Sequence, residues 1–225
     1  MSAPSSDCRG AHRAGRLVAL LLLSGATLAF PRGPAWGQSV AGQAIAARVS
    51  TPTAGSQTFA PVTLPQAGGM EQADVDNAAV PNTFGAAGLT SITTGQLDQS
   101  LVSATTSAEA ADVTILNGLI TAKAVLALAT SYANGTRAAS ESNGSTLLNL
   151  VIAGVSYPDG APPPNTRVAL PGVGYVVLNE QSVGGDGGYS TSLTVNMIHV
   201  YLIIPLTGAS AGEIVVGTAT STASL

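Results

Sequence analysis

A histidine inside an apolar strand is the first candidate for chemistry in this sequence. His199 lies in the stretch SLTVNMIHVYLII and is the only histidine after residue 37. A catalytic histidine needs a positioned nucleophile and an orienting acid, and zinc normally takes three or four ligands from His, Cys and carboxylates. With one His and no Cys after residue 37, we do not expect a zinc site. The pattern favours a neutral, buried or half-buried imidazole that hydrogen-bonds to a neighbouring strand or to Glu180.

The alternation of side chains along this strand determines what His199 can reach. With a period of two, His199 shares one face with Val195, Met197 and Tyr201. From Met197 to Ile204 the strand is apolar on both faces except for His199, which is typical of a central strand covered on both sides. We expect the opposing sheet to cover one face and a loop or the N-terminal segment to cover the other.

Two carboxylates offer an alternative kind of chemistry, the hydrolysis of polysaccharides. A glycosidase needs a pair of Asp or Glu residues that face each other across a cleft. In the part of the chain with strong strand signals, Glu180 and Glu213 are the one pair worth testing. This pair supports the alternative hypothesis of a carbohydrate-binding module or a polysaccharide-acting hydrolase.

The letters GASAG at residues 208–212 match the nucleophile elbow G-x-S-x-G, with Ser210 at the centre. That motif requires a sharp turn from a strand into a helix, with the acid and the histidine later in the chain. Here the segment leads into the strand EIVVG, and His199 precedes the serine. We therefore interpret the match as a Gly/Ala/Ser turn and predict no catalytic residue.

Two segments carry carboxylates that calcium could bind. ADVDN supplies Asp74, Asp76 and Asn77, and GGDGG supplies Asp186. Neither reproduces the alternating oxygen ligands of a calcium loop, so solvated acidic turns are the better interpretation. GVGYVV and GGDGGY also lack the helix that follows a phosphate-binding glycine loop. The sequence thus predicts no metal and no cofactor.

The elements that must position these residues are β-strands. In LITAKAVLALATSY, one side of a period-two pattern holds Ile120, Ala122, Ala124, Leu126 and Leu128. Further β-branched segments follow, each bounded by Gly, Pro, Asn or Asp, and none has a helical period. The prediction is an all-β fold, an antiparallel β-sandwich over residues 99–225. A β-solenoid is disfavoured because the sequence has no fixed repeat period.

The segment before this domain has a different composition. Residues 38–98 are rich in Ala, Gly, Pro, Thr and Gln. Pro and Gly at this density break long helices and leave short strands or extended loops. We therefore expect a loosely ordered N-terminal segment with few short strands, of which two lie at sheet edges.

Residues 1–37 have the features of a secretory signal peptide. Three arginines precede the uncharged stretch Leu17–Phe30, and a candidate cleavage site, AWG, lies at residues 35–37. A basic start, an apolar core and small residues at the end are typical of such peptides, whereas a membrane-spanning helix needs about twenty apolar residues. An uncleaved N-terminal anchor is the alternative. We expect removal of this segment on export, which leaves no stable membrane span.

The composition after residue 37 excludes several classes of function. Four basic and eleven acidic residues remain, a formal net charge of −7 with histidine neutral. Because the basic residues are scattered, the sequence lacks the basic patch of a nucleic-acid-binding protein and has nothing to attract anionic lipids. The one cysteine, Cys8, lies in the predicted signal peptide, so a disulfide within the processed chain is excluded.

Segments between residues 108 and 220 resemble one family of bacterial surface proteins. They are ADVTILNGLITAKAV, STLLNLVIAGV, PNTRVALPGVGYVVLNEQ, LTVNMIHVYL and GEIVVGTAT. The P-N-T…L-P-G-x-G…L-N-E-Q and T-V-N-x-I-H-V elements together resemble the choice-of-anchor P family. Its members are exported surface proteins in which a shared β-rich domain precedes differing C-terminal anchoring signals. This sequence departs from the pattern in having no recognisable anchor after Thr220.

The resemblance implies export, a cell-surface or extracellular location and a non-enzymatic role, and it brings no catalytic residue to carry over. We therefore expect an exported bacterial protein with a structural or adhesive role. Charged residues make up 9% of the chain, against about 25% in an ordinary soluble domain. A surface so weakly charged suits cell-surface glycans or other surface proteins as partners.

Overall fold

The computed structural model describes residues 37–225, so the predicted signal peptide lies outside the described residues except for its last position. Within these residues all regular secondary structure is β-strand, and the strands form two antiparallel sheets. The prediction of an all-β antiparallel sandwich is thereby confirmed. Among residues 37–225, no helix has the length and apolar character that crossing a membrane requires.

The fourteen strands alternate with short connections. In chain order they are β1 (Ser39–Thr51), β2 (Gly55–Thr63), β3 (Gly69–Val80), β4 (Phe84–Leu97), β5 (Val102–Ile115), β6 (Ile120–Ala133), β7 (Ala138–Glu141), β8 (Thr146–Leu148), β9 (Val151–Ile152), β10 (Val155–Ser156), β11 (Thr166–Leu170), β12 (Gly174–Gly185), β13 (Ser190–Ile203) and β14 (Ser210–Ser224). One sheet has six strands in the order β11-β12-β13-β14-β1-β2. The other has eight, in the order β10-β9-β6-β5-β4-β3, with β7 and β8 also pairing with β6.

The two sheets pack face to face around an apolar core. Strands β1, β13 and β14 of the first sheet lie over β4, β5 and β6 of the second. Because successive side chains of a strand point to opposite faces, alternate Val, Ile, Leu and Ala residues fill the space between the sheets. A smaller cluster around Val40, Leu64 and Val102 closes one end.

The structure corrects the expectation for residues 38–98. Instead of a loosely ordered segment with few short strands, this part of the chain forms β1 to β4, and three of these strands are 12 to 14 residues long. Strand β1 lies inside the six-stranded sheet, paired with β14 on one side and β2 on the other. Pro52, Pro65 and Pro81 lie in the turns between strands, whereas most of the glycines lie within the strands themselves, and alternate Ala and Val residues point into the core. The sandwich therefore extends over residues 39–224 rather than 99–225.

Strict alternation of side chains fails at one level of the six-stranded sheet. On β13 the consecutive residues Met197 and Ile198 both belong to the core. At the same level β14 and β12 each contain a residue with positive φ, Gly217 at 71° and Asn179 at 48°. In each of these three strands, the set of inward-facing positions therefore shifts by one residue at this level. As a result His199 and its neighbour two residues on point away from the core.

This change corrects the expected environment of His199. Val195 and Met197 are fully buried between the sheets, so they do not share a face with the histidine. Tyr201 does share its face, as predicted, and the two rings stack with their centroids 3.9 Å apart. The prediction assumed one period-two alternation along the whole strand, whereas the polar positions shift from Asn196 to His199, which are three residues apart.

Strand β6 contains the same kind of change. Ile120 and Ala122 point inward as expected, but the buried series then continues with Val125 and Ala127. Leu126 therefore points outward with Leu128, in contrast to the predicted pattern. The neighbouring strand β5 has positive φ (49°) at Asp112, the residue opposite the break.

At one end of the core, hydroxyl groups join the two sheets. Ser131 of β6 hydrogen-bonds through Oγ to the Oγ of Ser221 on β14 at 2.7 Å and to that of Ser140 at 2.8 Å. Ser140 in turn lies 2.6 Å from the Oγ1 of Thr191 on β13. Because each of these four hydroxyls has a partner, this layer avoids the cost of unsatisfied buried groups.

A glycine allows the sheets to approach closely beside this layer. Gly42 of β1 faces the buried pair Thr93 and Thr106, whose Oγ1 atoms are 3.0 Å apart. A Cβ atom at position 42 would overlap Oγ1 of Thr93 and crowd that of Thr106. The glycine is therefore a packing requirement of the interior.

Candidate functional site

His199 is the centre of a polar cluster on the outer face of the six-stranded sheet. It lies on β13, between β12 and β14, and only 9% of its side chain is exposed. Its Nδ1 atom is 2.6 Å from Oε2 of Glu180, and its Nε2 atom is 3.2 Å from Oε2 of Glu213. Glu180 was one of the two partners expected for the imidazole, and the structure contains this contact. The same ring also contacts the second carboxylate of the predicted pair.

The two contacts constrain the protons in the cluster. A neutral imidazole has one N–H and can donate to only one carboxylate. Both contacts of His199 are satisfied only when the ring has a second proton or when one of the two carboxyl groups is protonated. With the predicted neutral ring and two ionised carboxylates, one proton is missing for both contacts to be hydrogen bonds.

Glu180 accepts hydrogen bonds from three side chains. Besides His199, the Tyr201 hydroxyl donates to Oε1 at 2.6 Å and the Asn196 amide donates to Oε2 at 2.9 Å. The Thr218 hydroxyl donates to Oδ1 of Asn196 at 2.9 Å and fixes the orientation of that amide. Burial acts to raise the pKa of Glu180, but these hydrogen bonds outweigh it and hold the pKa below its ordinary value.

Tyr201 shows the opposite shift. Burial, together with the hydrogen bond to the Glu180 carboxylate and its negative charge, raises the pKa of the Tyr201 hydroxyl well above its ordinary value. The hydroxyl therefore remains a hydrogen-bond donor at any physiological pH. It holds Glu180 in place and is no candidate for an acid or base.

Glu213 connects the cluster to β1. Its Oε1 atom is 3.0 Å from Nη2 of Arg48, and both side chains are partly exposed, at 35% and 41%. The Nε atom of Arg48 is buried and makes no hydrogen bond within the described residues. With this ion pair, the polar chain extends over four adjacent strands, β12, β13, β14 and β1.

A row of stacked groups begins at one face of the histidine ring. Tyr201 stacks on His199, Tyr175 stacks on Tyr201 at 4.7 Å, and the guanidinium of Arg167 lies 3.8 Å from the Tyr175 ring centroid. Both faces of the Tyr175 ring and of the Tyr201 ring are thereby covered. The row stabilises β11, β12 and β13 against one another through ring stacking and a cation–π contact.

The geometry of the cluster limits its chemistry. Glu180 and Glu213, the pair that the hydrolase hypothesis requires, flank one imidazole on a single sheet face instead of facing each other across a cleft. The two nitrogens of His199 point at different carboxylates. Within residues 37–225, no three His, Cys, Asp or Glu side chains are placed to hold one metal ion. The arrangement can hold a proton and connect strands.

The other motif residues lie elsewhere. Ser210 begins β14 after a turn, and the chain continues as a strand, as predicted. Asp74 belongs to strand β3 instead of the expected acidic turn, and it accepts hydrogen bonds from Gln72 and Thr90. Its neighbours Asp76 and Asn77 also lie in β3, because the chain there extends along the sheet edge.

Asp186 has a structural role in the turn between β12 and β13. Its Oδ1 atom accepts backbone N–H bonds from Gly188, Tyr189 and Ser190 at 2.8–2.9 Å. These hydrogen bonds lower the pKa of the carboxyl group. The expected solvated turn is thus present, and the carboxylate orders it.

Sequence reasoning did not identify several members of the cluster, namely Arg48, Arg167, Tyr175, Asn196 and Thr218. Asn196 had a usable signal, since it is a polar position directly before the apolar run that begins at Met197. Arg48 had none, because it belongs to the segment for which no long strand was expected. Its role depends on a strand pairing that joins the two ends of the described chain.

The pKa of Glu180 leads to a prediction about acid stability. Its folded-state pKa lies below the ordinary value of 4.5, so its carboxylate stabilises the fold above about pH 4.5, and this contribution is lost as the pH falls through the lowered value. We expect the urea midpoint of the wild-type protein to fall over this range. Urea titrations at pH steps from 6 to 3 would measure it.

Glu180→Gln is the matched variant for this titration. It retains the shape of the side chain but cannot titrate, so its midpoint should be lower at pH 6 and should depend less on pH between 5 and 3. Parallel curves for the two proteins would contradict the assignment of the shift to Glu180.

Comparison of the chain with models of protein families, with curated proteins and with solved structures found no match.

Proposed function

We propose that this protein is an exported bacterial protein of the cell surface or the extracellular space, with a structural or adhesive role and no catalytic activity. The proposal includes the resemblance to the choice-of-anchor P family, whose members are exported surface proteins. The residues at 1–37 support export, because a basic start, an apolar core and small residues at the end are typical of a signal peptide.

The proposed lack of catalytic activity is supported by the outer-face cluster, whose polar atoms are already engaged with one another. Each side-chain nitrogen of His199 and each oxygen of Glu180 contacts another member of the cluster. Tyr201 covers one side of the imidazole. A general base needs a free lone pair within reach of a substrate proton, and His199 does not present one. The groups best suited to chemistry are engaged in holding strands together.

A carbohydrate-binding module or hydrolase is the second candidate. Its support is the presence of two carboxylates and two tyrosines on one partly exposed sheet face. Tyr175 and Tyr201 stack on each other and are covered on their outer sides by Arg167 and His199. Neither ring therefore offers a free face to a sugar, and we give this candidate the second place.

The double variant Glu180→Gln/Glu213→Gln tests the two candidates. The wild-type protein should neither hydrolyse nor measurably bind members of a panel of neutral and acidic polysaccharides, and the variant should behave identically. Turnover or binding by the wild-type protein that the variant loses would overturn the non-catalytic proposal. Reducing-end assays and glycan arrays provide the measurements.

Export has an independent test. The full-length gene is expressed in a bacterial host, and the N-terminus of the secreted protein is determined by mass spectrometry. We expect cleavage close to residue 37. A protein that stays in the cell with its first residues intact would contradict export, whatever the glycan experiment gives.

A further inference from the structure

Three turns of the sandwich contain the dipeptide Asn-Gly, and in all three the asparagine is exposed to solvent. They are Asn117-Gly118 between β5 and β6, Asn134-Gly135 between β6 and β7, and Asn143-Gly144 between β7 and β8. Asn-Gly is common in tight turns because both residues adopt positive φ readily. A glycine after asparagine also lets the backbone approach the asparagine side chain closely, because glycine has no Cβ atom.

The reaction that this approach permits is deamidation, in which water is the only co-reactant. The backbone nitrogen of the glycine loses its proton and bonds to Cγ of the asparagine, which closes a succinimide ring. The bond between Cγ and Nδ2 breaks, and the amide nitrogen leaves as ammonia with that proton. Water then opens the ring at one of its two carbonyl groups. The product is aspartate, or isoaspartate, in which the main chain is one methylene longer.

Side-chain hydrogen bonds restrain two of the three asparagines. Oδ1 of Asn134 accepts hydrogen bonds from the backbone N–H groups of Thr136 and Arg137, at 3.1 and 2.9 Å, and from the Thr136 hydroxyl at 2.9 Å. The Nδ2 atom of Asn143 donates to Oε2 of Glu141 at 2.8 Å. Ring closure changes the side-chain and backbone angles of the asparagine, so these hydrogen bonds must first break.

Asn117 lacks such a restraint. In the part of the chain that the structure describes, no hydrogen bond joins its side chain to another residue. The backbone hydrogen bond that closes its turn, from the N–H of Leu119 to the carbonyl of Leu116, is long at 3.2 Å. Leu116, Asn117 and Gly118 all have positive φ, at 52°, 55° and 88°, whereas neither of the other two asparagines does. Because a leucine in this region is strained, the turn leaves its conformation more readily.

We propose that Asn117 is a site of spontaneous modification, and that it deamidates before the other two Asn-Gly asparagines in the folded protein. The reaction requires local opening of one turn and no global unfolding. It goes beyond the structural or adhesive role proposed above and does not depend on it.

The position of the turn gives the modification a consequence for stability. The turn joins β5 and β6, each 14 residues long, and the pair next to it is Ile115 with Ile120. Leu116 and Leu119 pack against the main core. Turn geometry determines the register of a hairpin, so an extra methylene in the main chain disturbs both the pairing and this packing. Modified molecules should melt at a lower temperature, and each has one additional negative charge.

The rates of the three asparagines can be compared within one molecule. Purified protein is incubated at pH 8 and 37 °C, and deamidation is followed by peptide mapping with mass spectrometry. In the folded protein we expect Asn117 to react first, roughly tenfold faster than Asn134, whose Oδ1 must give up several hydrogen bonds. In concentrated urea the restraints are absent, and all three asparagines should react at similar rates.

Asn117→Gly separates the chemistry from the structure of the turn. Glycine adopts positive φ without strain, so the variant should keep the turn, and it has no side-chain amide to react. Ion-exchange chromatography should show acidic species accumulating in the wild-type protein and in the control Asn134→Gly, but much more slowly in Asn117→Gly. Glu141→Ala removes the acceptor for Asn143 and should speed deamidation there without changing the rate at Asn117.

Three results would overturn the proposal. The first is a folded protein in which Asn134 or Asn143 deamidates at least as fast as Asn117. The second is a folded protein in which Asn117 stays intact while the unfolded chain reacts. The third is an Asn117→Gly variant that accumulates acidic species at the wild-type rate. None of these results depends on glycan binding, catalysis or signal-peptide cleavage, so the broader function is tested separately.

Discussion

Replacing His199 with alanine is expected to lower the free energy of unfolding by about 3 kcal/mol. The substitution removes the side chain that contacts both Glu180 and Glu213, and it leaves the two carboxylates without this shared partner. It also removes the ring that stacks on Tyr201. Urea denaturation at pH 7 would measure the loss, with the slope of the transition checked for two-state behaviour.

The exposed ion pair between Lys123 and Asp112 provides the control. Its atoms are only 2.6 Å apart, but the two side chains are 62% and 56% exposed, and exposed pairs contribute about 0–1 kcal/mol. Lys123→Ala should therefore cost far less than His199→Ala, although the distance in the exposed pair is no longer than the shortest one in the cluster. Equal losses for the two variants would mean that the cluster contributes little to stability.

Gly42→Ala is expected to cost about 2–3 kcal/mol, although it adds only one methyl group. The new Cβ atom would overlap Oγ1 of Thr93 on the opposite sheet. The threonine cannot move freely, because it is fully buried and hydrogen-bonded to Thr106. The sheets must separate locally or the hydroxyl pair must break. Thermal and urea unfolding would both detect the change.

Gly85→Ala is the matched control in strand β4. A Cβ atom at that position meets no atom within 4 Å and the backbone there has no positive φ, so this variant should be neutral or slightly more stable. Adding Thr93→Ala to the Gly42→Ala background should recover part of the loss, since it removes the overlapping atom. A Gly42→Ala protein as stable as Gly85→Ala would show that the interior has more room than the structure indicates.

The fold class could be predicted because it depends on local signals. β-Branched residues, turn formers and the lack of helical periodicity each point to strands regardless of what the strands pair with. The segments containing His199 and Lys123 were read as strands for this reason, and they are β13 and β6. The interpretation of GASAG as a turn without a catalytic residue also followed from local context, because a strand pattern comes directly after it.

The details that shape the cluster are not local. Glu180, His199 and Glu213 meet because their strands are neighbours, and Arg48 joins them only because β1 pairs with β14. The change of inward-facing side chains near Met197 depends on left-handed residues in the adjacent strands, which no single segment encodes. Residues 38–98 were misjudged because Gly and Pro were taken to interrupt strands, whereas most glycines of this segment lie within long strands that pairing on both sides or at the sheet edge holds in place.

The position of β1 has a consequence for the order of folding. Its partner β14 is the last strand of the described chain, and their pairing joins Ser39 to Ser224. The six-stranded sheet cannot be completed until β14 has been synthesised, and pairing over such sequence separation is slow. Until β14 is present, β13 and β1 each expose an unpaired edge, and such edges favour aggregation. Such a topology delays completion of the six-stranded sheet in the nascent polypeptide, a property that suits the export proposed above.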